Sequence, residues 1–122
     1  MISLQELNPH QYPTTLEIDQ NLQTLLIRVN LIRTAWGKPM TVTSGLRSQA
    51  DQARINPKAT HSKHLIGAAV DVYDPDLSLT AWLKENNSER LVTAELWCEE
   101  GNANWVHFQI FPPGSGNRWF LP

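Results

Sequence analysis

The sequence predicts an α+β fold: an antiparallel sheet of about four strands, with helices packed on one face and the other face left open. Three observations lead there. Apolar residues recur at helical spacing between Ile18 and Trp36. Several short segments rich in β-branched and aromatic residues are separated by turns of Gly, Pro and Asn. The main strand segments each carry one apolar and one polar face. With 122 residues, 41 % of them apolar and 18 % charged, residues 1–122 suit a single domain built on one core.

The elements follow in order. Pro9 and Pro13 bracket an irregular start. Ile18, Leu22, Leu25, Val29, Ile32 and Trp36 form one stripe of an amphipathic helix, which Gly37 and Pro39 stop. Met40 to Ser44 alternates as a strand, broken by Gly45. Ser48 caps a short helix to Ile55, and a polar loop runs from Asn56 to about Lys63. Ala69 to Tyr73 is a second strand, and Leu77 to Asn86 a second clear helix. Leu91 to Cys98 reads as a third strand and Trp105 to Phe111 as a fourth, with a turn at Gly101 to Asn104 between them. Pro112 to Gly114 forces a loop, and Arg118 to Leu121 is a tail that packs down. The long helix is expected on the face formed by Val70, Val72, Val106 and Phe108.

Composition excludes several classes of function. Ten Lys+Arg against twelve Asp+Glu give a net charge of −2, and no basic cluster stands out, so nucleic-acid binding by phosphate neutralisation is not expected. One cysteine, Cys98, allows neither an internal disulfide nor a Cys-rich metal module; it reads as a core filler. No apolar stretch is long enough to span a membrane. The start has no basic segment followed by an apolar block, so synthesis in the cytoplasm without a signal peptide is expected. A monomer is expected.

The open faces hold the chemistry. Ala69, Asp71 and Tyr73 share one side of the second strand. Trp105, His107, Gln109 and Phe111 share one side of the fourth. Thr93, Glu95, Trp97 and Glu99 share one side of the third. His64 precedes Asp71 by a loop containing Gly67, which can fold it back beside that strand. Zinc favours imidazole nitrogen and carboxylate oxygen, and a catalytic zinc keeps three protein ligands. His64, Asp71 and His107 fit that set. The residues alone leave this level with an ordinary reading, in which the histidines are surface groups and Asp71 pairs with an arginine.

The local wording extends the argument. Ser44-Gly45-Leu46-Arg47, then Ser62-Lys63-His64, six residues and Asp71, then Trp105-Val106-His107 resembles the zinc D-alanyl-D-alanine carboxypeptidase and L-alanyl-D-glutamate endopeptidase family. These peptidoglycan peptidases share their fold with the Hedgehog signalling domain. The resemblance covers roughly Thr41 to Ile110, and the short format is similar to phage or prophage members. It implies zinc ligands at His64, Asp71 and His107, and a peptidoglycan stem peptide as substrate. It also implies that Arg47 holds a substrate carboxylate or the developing oxyanion; the structural alternative for Arg47 is a salt bridge to Asp51 or Asp71. Ser62 is implied to orient the site. Trp105, with Trp97, is a candidate for packing against substrate. His61 and His10 fall outside the ligand pattern. Without a signal peptide, such a protein reaches the cell wall only after release, through a holin-type route or lysis.

One departure from the family pattern matters. Many members carry Asp or Glu three residues before the last histidine as general base, and here Asn104 stands there. An amide cannot take a proton from water, so the base must come from elsewhere. Strand parity favours Glu99, on the open side with Trp97; Glu100 is second and Glu95 third. The leading reading is a zinc peptidase acting on stem peptides, either an endolysin-like endopeptidase or a D,D-carboxypeptidase, with the open cleft favouring the endopeptidase. Asn104 keeps a rival alive: a zinc-binding pseudoenzyme serving as a wall-recognition or virion structural module. A metal-free interaction domain is the remaining alternative.

Overall fold

The computed structural model describes residues 1–58 and 61–122. Ten elements follow in order: α1 (Leu4–Leu7), α2 (Leu16–Trp36), β1 (Val42–Ser44), α3 (Gln49–Ile55), a 3-10 turn (Lys63–Ile66), β2 (Ala69–Tyr73), α4 (Ser78–Ala94), β3 (Trp97–Glu99), β4 (Trp105–Gln109) and β5 (Trp119–Phe120). The strands form one sheet in the order β1-β2-β4-β3-β5. The fold is α+β, as expected. β1, β2, β4 and β3 pair antiparallel, and β5 adds a fifth strand parallel to β3. The loop expected from Asn56 to Lys63 includes positions 59 and 60, which lie outside the described residues.

Helix α2 starts where the Thr15 hydroxyl accepts the Ile18 N–H and ends at Gly37, whose left-handed φ of 73° lets its N–H reach Arg33 O. Its stripe of Leu22, Leu25, Val29 and Ile32 packs in one core with Val70, Val72, Val106 and Phe108. Each fully buried side chain of this size stabilises the fold by about 1.5–3 kcal/mol before chain entropy is counted. The apolar face of β2 and β4 is thereby covered, and the other face is left for the site.

Three local features differ from the sequence expectation. The start is not irregular throughout: Ser3 and Glu6 form a reciprocal capping box on α1, which buries Leu7 completely. The helix expected over 77–86 loses helical geometry at Glu85, runs through three left-handed residues, Asn86 to Ser88, and then resumes to Ala94. The strand expected over Leu91 to Cys98 is therefore two things. Leu91 and Ala94, three apart, bury the last helical turn, Glu95 turns the chain at φ 56°, and only Trp97 to Glu99 is extended. Val92, which a strand would turn to the apolar side opposite Thr93 and Glu95, is exposed, and Glu95 does not join the open face of the sheet. The tail packs down as expected and pairs with β3: Cys98 donates its N–H to Arg118 O, and Glu100 to Phe120 O.

Candidate metal centre

Two local devices bring His64 to the sheet. Ser62 caps the 3-10 turn, its Oγ accepting the His64 N–H at 3.3 Å. Gly67 closes the turn at φ 72°, where any Cβ would lie 3.0 Å from the Leu22 side chain. The chain then enters β2, where Asp71 stands directly opposite His107 on β4. Equal register puts both on the same face. Gly45 approaches α1 so closely that a Cβ would sit 2.2 Å from Leu7 O, and its own carbonyl accepts from His64 Nδ1 at 2.9 Å.

His64, Asp71 and His107 are all buried, and one ligand atom from each lies within 4.8 Å of the others. Asp71 Oδ1 is 3.2 Å from His64 Nε2 and 3.0 Å from His107 Nδ1. The remaining nitrogens are already committed: His64 Nδ1 to Gly45 O, and His107 Nε2 to Gln109 Oε1 at 2.9 Å. Both partners are acceptors, so an imidazole whose single proton sits there turns a lone pair toward Asp71. In that tautomer three electron-pair donors converge with no hydrogen between them. That is the environment of a cation. Ligand bonds of about 2.0–2.2 Å in a tetrahedron place ligand atoms ~3.3 Å apart, close to the two Asp71–imidazole separations. The donor set fits a zinc ion.

The charges agree. Without an ion, burial alone would raise the Asp71 pKa, but imidazole N–H groups of His107 and His64, then turned toward the carboxylate, outweigh it and hold the carboxyl well below its usual range. Burial would lower the His107 pKa, and the Asp71 carboxylate reverses this and raises it. In both cases the carboxylate–imidazole contact decides.

Arg47 closes the other side. Its Nη2 reaches Asp71 Oδ2 at 3.3 Å, Nη1 donates to Gln52 Oε1 at 3.0 Å and Nε to Ser44 Oγ at 2.9 Å. The structural alternative of a salt bridge to Asp71 is therefore present, while Asp51 pairs with Arg54 and Tyr12 instead. All the expected site residues, Arg47, Ser62, His64, Asp71, Glu99, Trp105 and His107, line one cleft of about 630 Å³. A groove of about 700 Å³ between α1 and α2 contains none of them.

The three candidate bases separate cleanly. Glu99 lines the cleft, with Oε2 3.9 Å from His107 Nε2 and Oε1 accepting from Asn102 Nδ2. Glu100 pairs with Lys84, and Glu95 sits at the end of α4 beside Arg28. Asn104 lies in the turn before β4 at φ 77°, where its carbonyl accepts the Asp74 N–H. His61 is exposed at the cleft edge, outside the metal cluster. Trp97 is not among the residues lining the cleft; Arg118 stacks on it at 4.4 Å.

The chain matches the Peptidase M15 family model over residues 2–109. It belongs to the M15 peptidase family. In solved structures, it is similar to the L-Ala D-Glu endopeptidase ChiX of Serratia marcescens, at 21 % identity and a TM-score of 0.53. The match covers 86 % of this chain and 95 % of that one, and at this identity it speaks for the fold. No curated protein matches the chain.

This M15 chain also holds site residues that sequence reasoning missed. Gln109 is 4 % exposed and Gln52 3 %. Each ties its amide nitrogen to a backbone carbonyl, Gln109 to Phe111 O and Gln52 to Asn56 O, and offers its oxygen to His107 or Arg47. Strand parity places Gln109 on the open face, so its signal was present. Gln52 has no comparable signal, because a short polar helix does not reveal which side meets the site. Phe120 lines the cleft with its ring edge-on to His107 at 6.2 Å between centroids; only the pairing of β5 brings it there.

Proposed function

We propose that the protein is a zinc-dependent peptidase that hydrolyses peptide bonds in peptidoglycan stem peptides, acting on the cell wall after release from the cytoplasm. The observation that carries the reading is the convergence of His64 Nε2, Asp71 Oδ1 and His107 Nδ1 in a cleft that also holds Arg47 and Glu99. The L-Ala D-Glu endopeptidase likeness and the open cleft favour an endopeptidase over a D,D-carboxypeptidase.

His64, Asp71 and His107 would hold the ion. Zinc, when bound, supplies Lewis acidity, polarising a carbonyl oxygen and lowering the pKa of water to about 7. The chain's own residues supply the rest. Glu99 accepts the proton from the attacking water and returns it to the leaving amine, the general acid–base role that Asn104 cannot fill. Arg47 presents a fixed, always charged fork to a substrate carboxylate or to the oxyanion. Gln52, Ser44 and Asp71 Oδ2 hold that fork in place. Trp105, 37 % exposed at the cleft edge, offers an apolar surface for substrate.

Purified, zinc-loaded protein incubated with peptidoglycan tests this directly. Mass spectrometry of the digest should find new termini within the stem peptide, absent when Glu99→Gln protein is used. Protein that carries zinc stoichiometrically yet releases no new termini would instead be a wall-recognition or virion structural module.

A further inference from the structure

We infer that Gln109 is a positioning residue for the metal centre: it fixes the His107 tautomer, and with it the atom that His107 presents to the ion. This rests on the metal-site reading above and goes beyond it, because Gln109 touches no ion itself.

The argument starts at Phe111. Its carbonyl lies 2.8 Å from Gln109 Nε2. A carbonyl oxygen accepts only, so the group facing it must be the amide NH2. Were the amide turned over, two oxygens would face each other at that distance. The side chain is 4 % exposed, so water does not relieve such a clash. Phe111 therefore sets the amide, and Gln109 Oε1 faces His107 Nε2 at 2.9 Å.

An oxygen there demands a proton on Nε2, which leaves the Nδ1 lone pair on the Asp71 side. The chain of contacts Phe111 O, Gln109, His107 Nε2–H thus selects the ligating atom. It runs along a single strand and its exit. It also keeps Glu99 available. Glu99 Oε2 is 3.9 Å from the same Nε2, and without Gln109 it is the next acceptor for that proton. Gln109 prevents the proposed base from being consumed as a histidine partner.

The experiment measures zinc affinity by chelator competition on metal-free protein at one fixed pH. Gln109→Met keeps the length and removes the acceptor. It should weaken zinc binding by about 10–100-fold, the usual effect of losing a histidine's outer partner, while circular dichroism stays native. A second measurement needs no variant: in zinc-loaded wild-type protein, nitrogen-15 NMR should place the His107 proton on Nε2. Folded Gln109→Met protein with wild-type affinity overturns the inference, and so does a proton on Nδ1. Wild-type protein that binds no zinc overturns the metal-site reading and this inference together.

Discussion

On one face of the β2–β4 pair, Val70, Val72, Val106 and Phe108 are at most 2 % exposed; on the other, Asp71, His107 and Gln109 are 4–7 % exposed. The depth of burial is nearly the same, but the physics differs. Apolar contact has no direction, so any shape that fills the space serves, and damage scales with the volume removed. A buried polar group needs a particular partner at a particular angle, and that partner needs its own. Here Asp71 Oδ1 meets two imidazoles, each imidazole meets a fixed carbonyl oxygen, and Asp71 Oδ2 meets Arg47. Among the described residues no buried side-chain nitrogen or oxygen lacks a partner. One face is specified by volume, the other by a connected list of atoms.

That contrast is broken most completely at Asp71. Asp71→Asn keeps the volume and removes the charge that both histidines and Arg47 share. Metal analysis should find the bound zinc lost, and peptidase activity should fall to background. A full equivalent of zinc on this variant would mean that the connected face is not a metal site. Next is Glu99→Gln, which should lower activity by about 10²–10⁴, the worth of general acid–base help, with zinc retained. Glu100→Gln should be almost silent, since it removes only an exposed pair with Lys84. The reverse outcome would place Glu100, not Glu99, on the site face. On the apolar face, Phe108→Ala should cost about 3–5 kcal/mol in denaturant unfolding, while the molecules that remain folded bind zinc as before. A matching loss of metal affinity would show that the two faces are not independent.

The same contrast explains what the sequence disclosed. Period two in β2 and β4 sorts volume from chemistry without any structure: Val70 and Val72 against Asp71, Val106 and Phe108 against His107. The shared face of Asp71 and His107 and the side covered by α2 were legible from it; His64 as a candidate ligand came from its loop and the motif resemblance, and Glu99 as the candidate base from parity in β3. The segment from Leu91 to Cys98 was not, because Leu91 and Ala94 follow a helical step while Leu96 and Cys98 follow a strand step. A run of eight residues crossing an element boundary satisfies neither period cleanly. The Trp119–Phe120 strand is too short to show any period. Gln52 becomes visible only through its partner Arg47, since the connected face is defined by distances rather than by pattern.

Gln52 gives a smaller effect. Gln52→Leu removes an acceptor from the Arg47 guanidinium, and a hydrogen bond to a charged group is worth about 1.5–3 kcal/mol. If Arg47 holds substrate, KM should rise by roughly ten- to a hundredfold with zinc affinity unchanged. A lower zinc affinity with unchanged KM would instead make Arg47 a partner of Asp71 alone.

A small expected effect lies one residue from one of the largest. Cys98 and Glu99 are neighbours on β3, pointing to opposite faces: Cys98 is fully buried opposite Phe108, and Glu99 lines the cleft. Burial pushes the Cys98 thiol well above its ordinary pKa, so almost no thiolate, the reactive form, is present at neutral pH. Thiol reagents should therefore fail to label the native protein and label it readily once it is unfolded. Cys98→Ala removes one buried sulfur and should cost about 1 kcal/mol of stability, leaving turnover of peptidoglycan and zinc content as in the wild type. Set beside Glu99→Gln, this pair divides the two faces at adjacent positions: one change lowers stability and spares activity, the other lowers activity and spares stability. Rapid labelling of the native thiol, or loss of activity in Cys98→Ala at full folding, would show that the apolar side of β3 reaches the chemistry after all.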